Sequence, residues 1–123
     1  MKAFLLVGLG GFIGSICRYA TSLLFVRVPS GFAWGTWTAN IAGCLIIGII
    51  YGFSEKFEWL TPEWRLFLAT GFCGGYTTFS AFAYENLELL EAGNYWTFSV
   101  YSISSFAVGL LAVAAGVFLT KIL

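Results

Sequence analysis

A polar, glycine-rich stretch interrupts an otherwise apolar segment in the second half of the chain. Residues 71–82 read GFCGGYTTFSAF and include a glycine pair, three serine or threonine hydroxyls, and the phenylalanines Phe79 and Phe82 three positions apart. Glycine inside a helix costs about 1 kcal/mol relative to alanine, and hydroxyl side chains compete for backbone hydrogen bonds. We therefore predict a short unwound stretch near residues 73–78.

A broken helix creates sites for ions because it exposes backbone groups. The carbonyls at the end of one half-helix suit a cation, and the N–H groups that begin the next half-helix suit an anion. Phe79 and Phe82 share one helix face, and the edge of each ring carries partial positive charge. Uncharged donors and ring edges together indicate a pathway of weak sites that a small, hard anion can enter and leave.

Other polar residues in apolar segments have a second explanation. Asn40, in TWTANIAG, offers two amide N–H donors to an anion, but taken alone it could equally make a hydrogen bond between helices. A pair of phenylalanines is also common in simple packing. The hydroxyls of Tyr101, Ser102, Ser104 and Ser105, taken alone, are better explained by local bonds to carbonyls of the preceding turn.

The elements that must position these residues are membrane-spanning helices. Of the 123 residues, 59% are hydrophobic and 10% are charged, whereas soluble domains carry about 25% charged residues. Four apolar segments, at 3–25, 33–53, 65–90 and 95–121, approach the length that a bilayer requires. All five tryptophans lie at or near segment ends, as at a membrane interface. We predict one all-α membrane domain over residues 1–123, with four transmembrane helices and a break in the third.

Several functional classes are disfavoured by what the sequence lacks. The net charge is zero and no basic tract is present, so a nucleic-acid partner is not expected. Because the chain has no histidine, no paired carboxylates and no nucleophile beside a base, we do not expect an enzyme.

Charges and small residues suggest how the helices are arranged. The two membrane faces differ by only about two positive charges, which is a weak positive-inside bias, so the chain is predicted to insert in either orientation. Small residues recur four positions apart, and such spacing lets helix backbones approach closely. The pairs are Gly10 with Gly14, Ala39 with Gly43, and Gly48 with Gly52.

The combination of GFCGGYTTFSAF, the upstream WTANIAG and Arg18 in the first span resembles the bacterial fluoride channel family (Fluc, also called CrcB). The resemblance extends over essentially the whole chain. It implies a passive, fluoride-selective channel of the bacterial inner membrane that lowers cytoplasmic fluoride. It also implies an antiparallel, dual-topology homodimer in the lipid bilayer, with a structural sodium ion at its centre.

The resemblance further implies roles for individual residues. Phe79 and Phe82 would be ring-edge ligands for fluoride, and Asn40 would be an amide donor. The backbone carbonyls of Gly74 and Thr77 would hold the sodium ion. The other residues implied are Thr78, Ser80, Tyr101 and Ser105 along the fluoride pathway, and Arg18 as a structural anchor.

The chain departs from the family pattern at two places. Ala81 stands where the family usually has a hydroxyl residue, and Gly109 and Val113 follow Tyr101 and Ser105 where more hydroxyls are expected. The outer end of the polar track in the last span is therefore the least specified part of the pathway.

Two alternative functions remain. A small, dimeric, proton-coupled drug or ion exporter needs a carboxylate within the membrane, and the first span has none; Glu85 in the third segment is the one candidate. A non-transporting membrane subunit would explain the glycines, but it would not explain a polar third segment.

Overall fold

The computed structural model describes residues 1–123 and is entirely helical, without strands. The long helices are separated by short connections, and the third apolar segment consists of several shorter pieces. The elements are α1 (Lys2–Leu23), α2 (Trp34–Lys56), α3 (Pro62–Arg65), a π-helical segment (Leu66–Cys73), α4 (Gly74–Tyr76), α5 (Phe79–Glu91) and α6 (Tyr95–Ile122).

Three helices, α1, α2 and α6, are long and apolar enough to cross a membrane. They correspond to the first, second and fourth predicted spans. The third predicted span, 65–90, is not a single helix of that kind, because its residues are divided among α3, the π-helical segment, α4 and α5.

The third segment changes its backbone geometry several times. It begins with Pro62, which suits the first helical position because its missing N–H would have no partner there. Helix continues to Tyr76, and then Thr77 (φ −85°, ψ 160°) and Thr78 (φ −150°, ψ 125°) are extended. The Thr78 hydroxyl accepts a hydrogen bond from the N–H of Ala81 at 3.2 Å and so caps α5. We call Thr77 and Thr78 the break.

The break is narrower than the predicted stretch of 73–78, because Cys73 and the glycine pair lie in helical backbone. Gly75 meets a packing need instead, whereas a Cβ on Gly74 would have no atom within 4 Å. A Cβ on Gly75 would overlap the carbonyl oxygen of Gly11 in α1 and would lie 2.9 Å from its Cα. Gly75 therefore permits backbone contact between α4 and α1.

Glycines also form the contact between α1 and the π-helical segment. A Cβ on Gly10 would lie 2.9 Å from the Cα of Gly71, and a Cβ on Gly14 would overlap the carbonyl oxygen of Phe72. The predicted role of the Gly10 and Gly14 pair in close helix packing is confirmed. In lipid, such contact is favoured by van der Waals packing rather than by the hydrophobic effect.

The second close pairing is between α2 and α6. A Cβ on Gly48 would overlap the carbonyl oxygen of Val113, and a Cβ on Gly116 would overlap that of Leu45. A small apolar core, formed by Ile50, Leu60, Ala69 and Cys73, joins α2 to the third segment. The chain thus contains two tight pairs, α1 with the third segment and α2 with α6, with the break lying beside α2.

Candidate functional site

A cavity of about 500 Å³ lies beside the break, and we call it the site cavity. It brings together residues from α2, the third segment and α6, and no lining residue has an acidic or basic side chain. Seven of the residues to which the resemblance assigned a role line it: Asn40, Gly74, Thr77, Thr78, Phe79, Phe82 and Ser105. The others are Gly43, Cys44, Ile47, Ala69, Thr70, Cys73, Ser102 and Phe106.

Asn40 holds the break through both polar atoms of its side chain. Its Oδ1 accepts the Thr78 N–H at 2.8 Å, and its Nδ2 donates to the Thr78 carbonyl at 3.0 Å. In a continuous helix the Thr78 N–H would instead donate to the carbonyl of Gly74. The side chain of α2 therefore replaces backbone bonds at the break, and it leaves the Gly74 carbonyl without its usual donor.

The other residue of the break is held from α1. Nη1 of Arg18 donates to the carbonyl of Thr77 at 3.2 Å. One turn away, the hydroxyls of Thr21 and Tyr76 share a hydrogen bond of 2.9 Å. Arg18 therefore contacts the break directly, although it does not line the site cavity. The guanidinium group of Arg18 binds the Thr77 carbonyl and does not itself face the cavity.

The rings of Phe79 and Phe82, which we call the ring pair, lie at the start of α5. Their centroids are 5.7 Å apart and their planes are tilted by 42°. Phe82 also stacks on Tyr101, with centroids 5.1 Å apart and an interplanar angle of 27°. Phe79 is 79% exposed in the single chain. One ring of the pair is thus packed within the chain, and the other has an open face.

Tyr101 is fully buried and is not part of the cavity wall. Its hydroxyl donates to Glu85 Oε2 at 2.7 Å, and the hydroxyl of Thr36 donates to Glu85 Oε1 at 2.6 Å. Sequence reasoning identified Tyr101 and Glu85 separately but missed Thr36. Its partner is 49 positions away, and a threonine near a helix start carries no distinctive signal.

Two serines predicted for the pathway differ in their surroundings. The hydroxyl of Ser105 is buried at the cavity wall and has no hydrogen-bond partner. A buried hydroxyl without a partner is costly, so Ser105 keeps a hydrogen-bonding group that nothing else in the chain uses. Ser80 is exposed, and its hydroxyl shares a 3.2 Å hydrogen bond with that of Thr78. Ser80 does not line the cavity.

The arrangement can offer hydrogen bonds to an ion without fixing it by charge. The available groups are the second N–H of the Asn40 amide, the Ser105 hydroxyl and the two ring edges. Carbonyls at the break offer oxygen atoms to a cation. These groups can therefore bind an ion through hydrogen bonds and carbonyl oxygens.

Comparisons with known proteins find related sequences over nearly the whole chain. The family model described as CrcB-like protein, Camphor Resistance (CrcB), matches residues 5–117. A protein of Azobacteroides pseudotrichonymphae is 45% identical over 122 residues, which cover 98% of both chains. A protein of Chlorobium phaeobacteroides is 46% identical over 99% of this chain and 95% of its own. One of Leptospira interrogans is 43% identical over 98% of this chain and 95% of its own.

Each of these relatives is named a fluoride-specific ion channel FluC. The similarity covers the three long apolar helices and the whole third segment. The chain is a multi-pass membrane protein, and the resemblance read from its motifs is confirmed. This chain belongs to the CrcB-like family.

Proposed function

We propose that this chain is a fluoride-selective channel that lets fluoride leave the bacterial cytoplasm passively across the inner membrane. The observation that carries the proposal is the site cavity, which combines ring edges and neutral hydrogen-bond donors with no acidic or basic side chain in its wall. Full-length relatives named as fluoride-specific channels support the choice of ion.

The neutral wall explains how the ion can move. A site with strong positive charge would retain a small anion, whereas several weak donors replace its water and release it again. Asn40, Ser105 and the ring pair are the groups that we assign to this task. The hydroxyls of Thr78 and Ser80 add further hydrogen-bonding groups at the start of α5. Tyr101 supports the Phe82 ring by stacking on it.

An antiparallel, dual-topology homodimer forms part of the proposal. Phe79 is 79% exposed in the single chain although it belongs to the ring pair. A second protomer would cover this ring and complete the wall. Because a two-fold axis in the membrane plane inverts one protomer, the weak positive-inside bias of the sequence is compatible with this assembly.

A structural sodium ion at the dimer centre would be held by the carbonyls of Gly74 and Thr77. The donor chemistry fits, since hard cations prefer oxygen ligands. Both residues line the site cavity, and the Gly74 carbonyl has lost its helical donor to Asn40. The Thr77 carbonyl already accepts from Arg18, and its second lone pair remains available. The guanidinium disfavours a cation there, so Gly74 is the better supported ligand.

The proton-coupled exporter is less well supported. Its one candidate carboxylate, Glu85, has both oxygens engaged by hydroxyls, one from Thr36 and one from Tyr101. Glu85 also lies outside the wall of the site cavity.

Efflux from liposomes tests the proposal directly. Purified protein in vesicles loaded with potassium fluoride should release fluoride, measured with a fluoride electrode, once valinomycin removes the opposing potential. Release should not require a proton gradient. Absence of release, or release that stops when the proton gradient is abolished, would refute passive fluoride conduction.

A further inference from the structure

The geometry points to Asn86 and Ser102 as a positioning pair that fixes the Phe82 ring and thereby contributes to anion selectivity. This inference rests on the proposed function. Neither residue belongs to the motif by which the chain was recognised. The argument uses the hydrogen bonds between α5 and α6 and the place of both residues in the site.

Asn86 is a buried polar residue whose amide is bonded at both ends. It is 7% exposed. Its Nδ2 donates to the carbonyl of Phe82 at 3.0 Å, and its Oδ1 accepts the hydroxyl of Ser102 at 3.1 Å. The carbonyl of Phe82 can only accept and therefore requires the amide nitrogen on its side. The orientation of the amide is thus set by its partners.

These two bonds reach both rings of a stack. The backbone carbonyl of Phe82 accepts the hydrogen bond from Asn86. Ser102 directly follows Tyr101, and the Tyr101 ring stacks on the Phe82 ring. The hydrogen bonds from Ser102 to Asn86 and from Asn86 to Phe82 therefore link two turns. They fix the turn of α5 that carries the Phe82 ring relative to the turn of α6 that carries the Tyr101 ring. Ser102 and Phe82 both line the site cavity.

Few other bonds can do this task. Two side-chain hydrogen bonds join α5 to α6, one from Tyr101 to Glu85 and one from Ser102 to Asn86. The first holds the tip of the Tyr101 side chain. The second acts on the backbone next to the ring pair, so its loss would let α5 shift relative to the Tyr101 ring. A ring edge that moves by a fraction of an ångström presents a different site to a small anion than to a larger one.

The expected consequence is a change in selectivity rather than in assembly. Interhelical hydrogen bonds in membranes have modest strength, which corresponds to about a threefold change in an equilibrium. Asn86→Leu and Ser102→Ala should each lower the ratio of fluoride to chloride efflux by about that factor or more. The double variant should be no worse than the more severe single variant, because both changes remove the same bridge.

The experiment measures fluoride and chloride efflux from liposomes for these variants, with Ser99→Ala as the matched control. Ser99 lies on α6, and its hydroxyl bonds only the carbonyl of Tyr95 in its own helix. The Ser99→Ala variant should therefore have the same ratio of fluoride to chloride efflux as the wild type. Ser102→Thr keeps the hydroxyl and should restore the ratio. Equal losses for both ions, an unchanged ratio in both variants, or additive effects in the double variant would overturn the positioning role.

A second readout separates this inference from the proposed function. NMR of ring-labelled phenylalanine, with the Phe82 signal assigned by its loss in Phe82→Leu, should show faster ring motion in Asn86→Leu and in Ser102→Ala. If wild-type protein passes no fluoride, the proposed function fails, and the ring motion alone decides on the pair. Unchanged motion of the Phe82 ring in both variants would refute the positioning role of Asn86 and Ser102.

Discussion

Replacing Asn40 by leucine should disrupt both the break and conduction. The side chain gives the Thr78 N–H and carbonyl their hydrogen bonds, at 2.8 and 3.0 Å. Leucine has a similar volume and can make neither bond. Both backbone groups would then lie without partners beside an apolar wall, where water is scarce.

The magnitude follows from these two bonds. Hydrogen bonds within membranes contribute about 0.6 kcal/mol on average and up to about 1.7. The loss of two should therefore cost about 1–3 kcal/mol, or about 5- to 150-fold in the equilibrium between folded and unfolded protein. The fluoride efflux rate should fall by a larger factor than the folding equilibrium constant, because the same amide also offers its second N–H to the ion.

Two measurements test this reasoning. Reversible unfolding in detergent or bicelles gives the change in free energy, and fluoride-electrode efflux gives the rate. Ser54→Ala is the control on the same helix, since the Ser54 hydroxyl bonds only the carbonyl of Tyr51. Asn40→Asp keeps the acceptor for the Thr78 N–H but sets a second acceptor against the Thr78 carbonyl, so it should not restore wild-type stability. Its added negative charge should still suppress fluoride efflux. An Asn40→Leu protein with wild-type stability and efflux would refute the assignment of Asn40 to the break.

Three further predictions concern the rings, the glycine contact and the cation. Phe79→Ile or Phe82→Ile should abolish fluoride efflux while the dimer still assembles by size-exclusion chromatography; unchanged flux in both would remove the rings from the mechanism. Gly75→Ala should reduce the yield of monodisperse protein, because the new Cβ would overlap the backbone of Gly11, whereas Gly8→Ala should have no effect since nothing lies within 4 Å; equal yields would contradict this account. Exchange of sodium for a larger cation such as N-methylglucamine during purification should destabilise the dimer, and an unaltered dimer dissociation constant would argue against a bound ion.

The sequence predicted the long helices well because hydropathy and length determine them. Residues 3–25, 33–53 and 95–121 correspond closely to α1, α2 and α6. The third segment was harder, because its geometry depends on partners elsewhere in the chain. Gly74 and Gly75 suggested unwinding at their own positions. The residues that are extended are Thr77 and Thr78, where Arg18 and Asn40 bind the backbone.

The site residues show the same division. Asn40 and the ring pair were identified by residue type and by resemblance, and the structure places them in one cavity. Both polar atoms of the Asn40 amide make hydrogen bonds to Thr78, a partner 38 positions away that no local pattern reveals. Tyr101 is a second example. Taken alone, the Tyr101 hydroxyl was better explained by a local bond to a carbonyl of the preceding turn, whereas it donates to Glu85, 16 positions earlier in the chain.

The two tight helix pairs give the break a mechanical setting. Arg18 binds Thr77 from one pair and Asn40 binds Thr78 from the other, so two adjacent residues of the backbone are held by different pairs. Any displacement of one pair relative to the other would therefore act on the peptide link between Thr77 and Thr78, both of which line the site cavity.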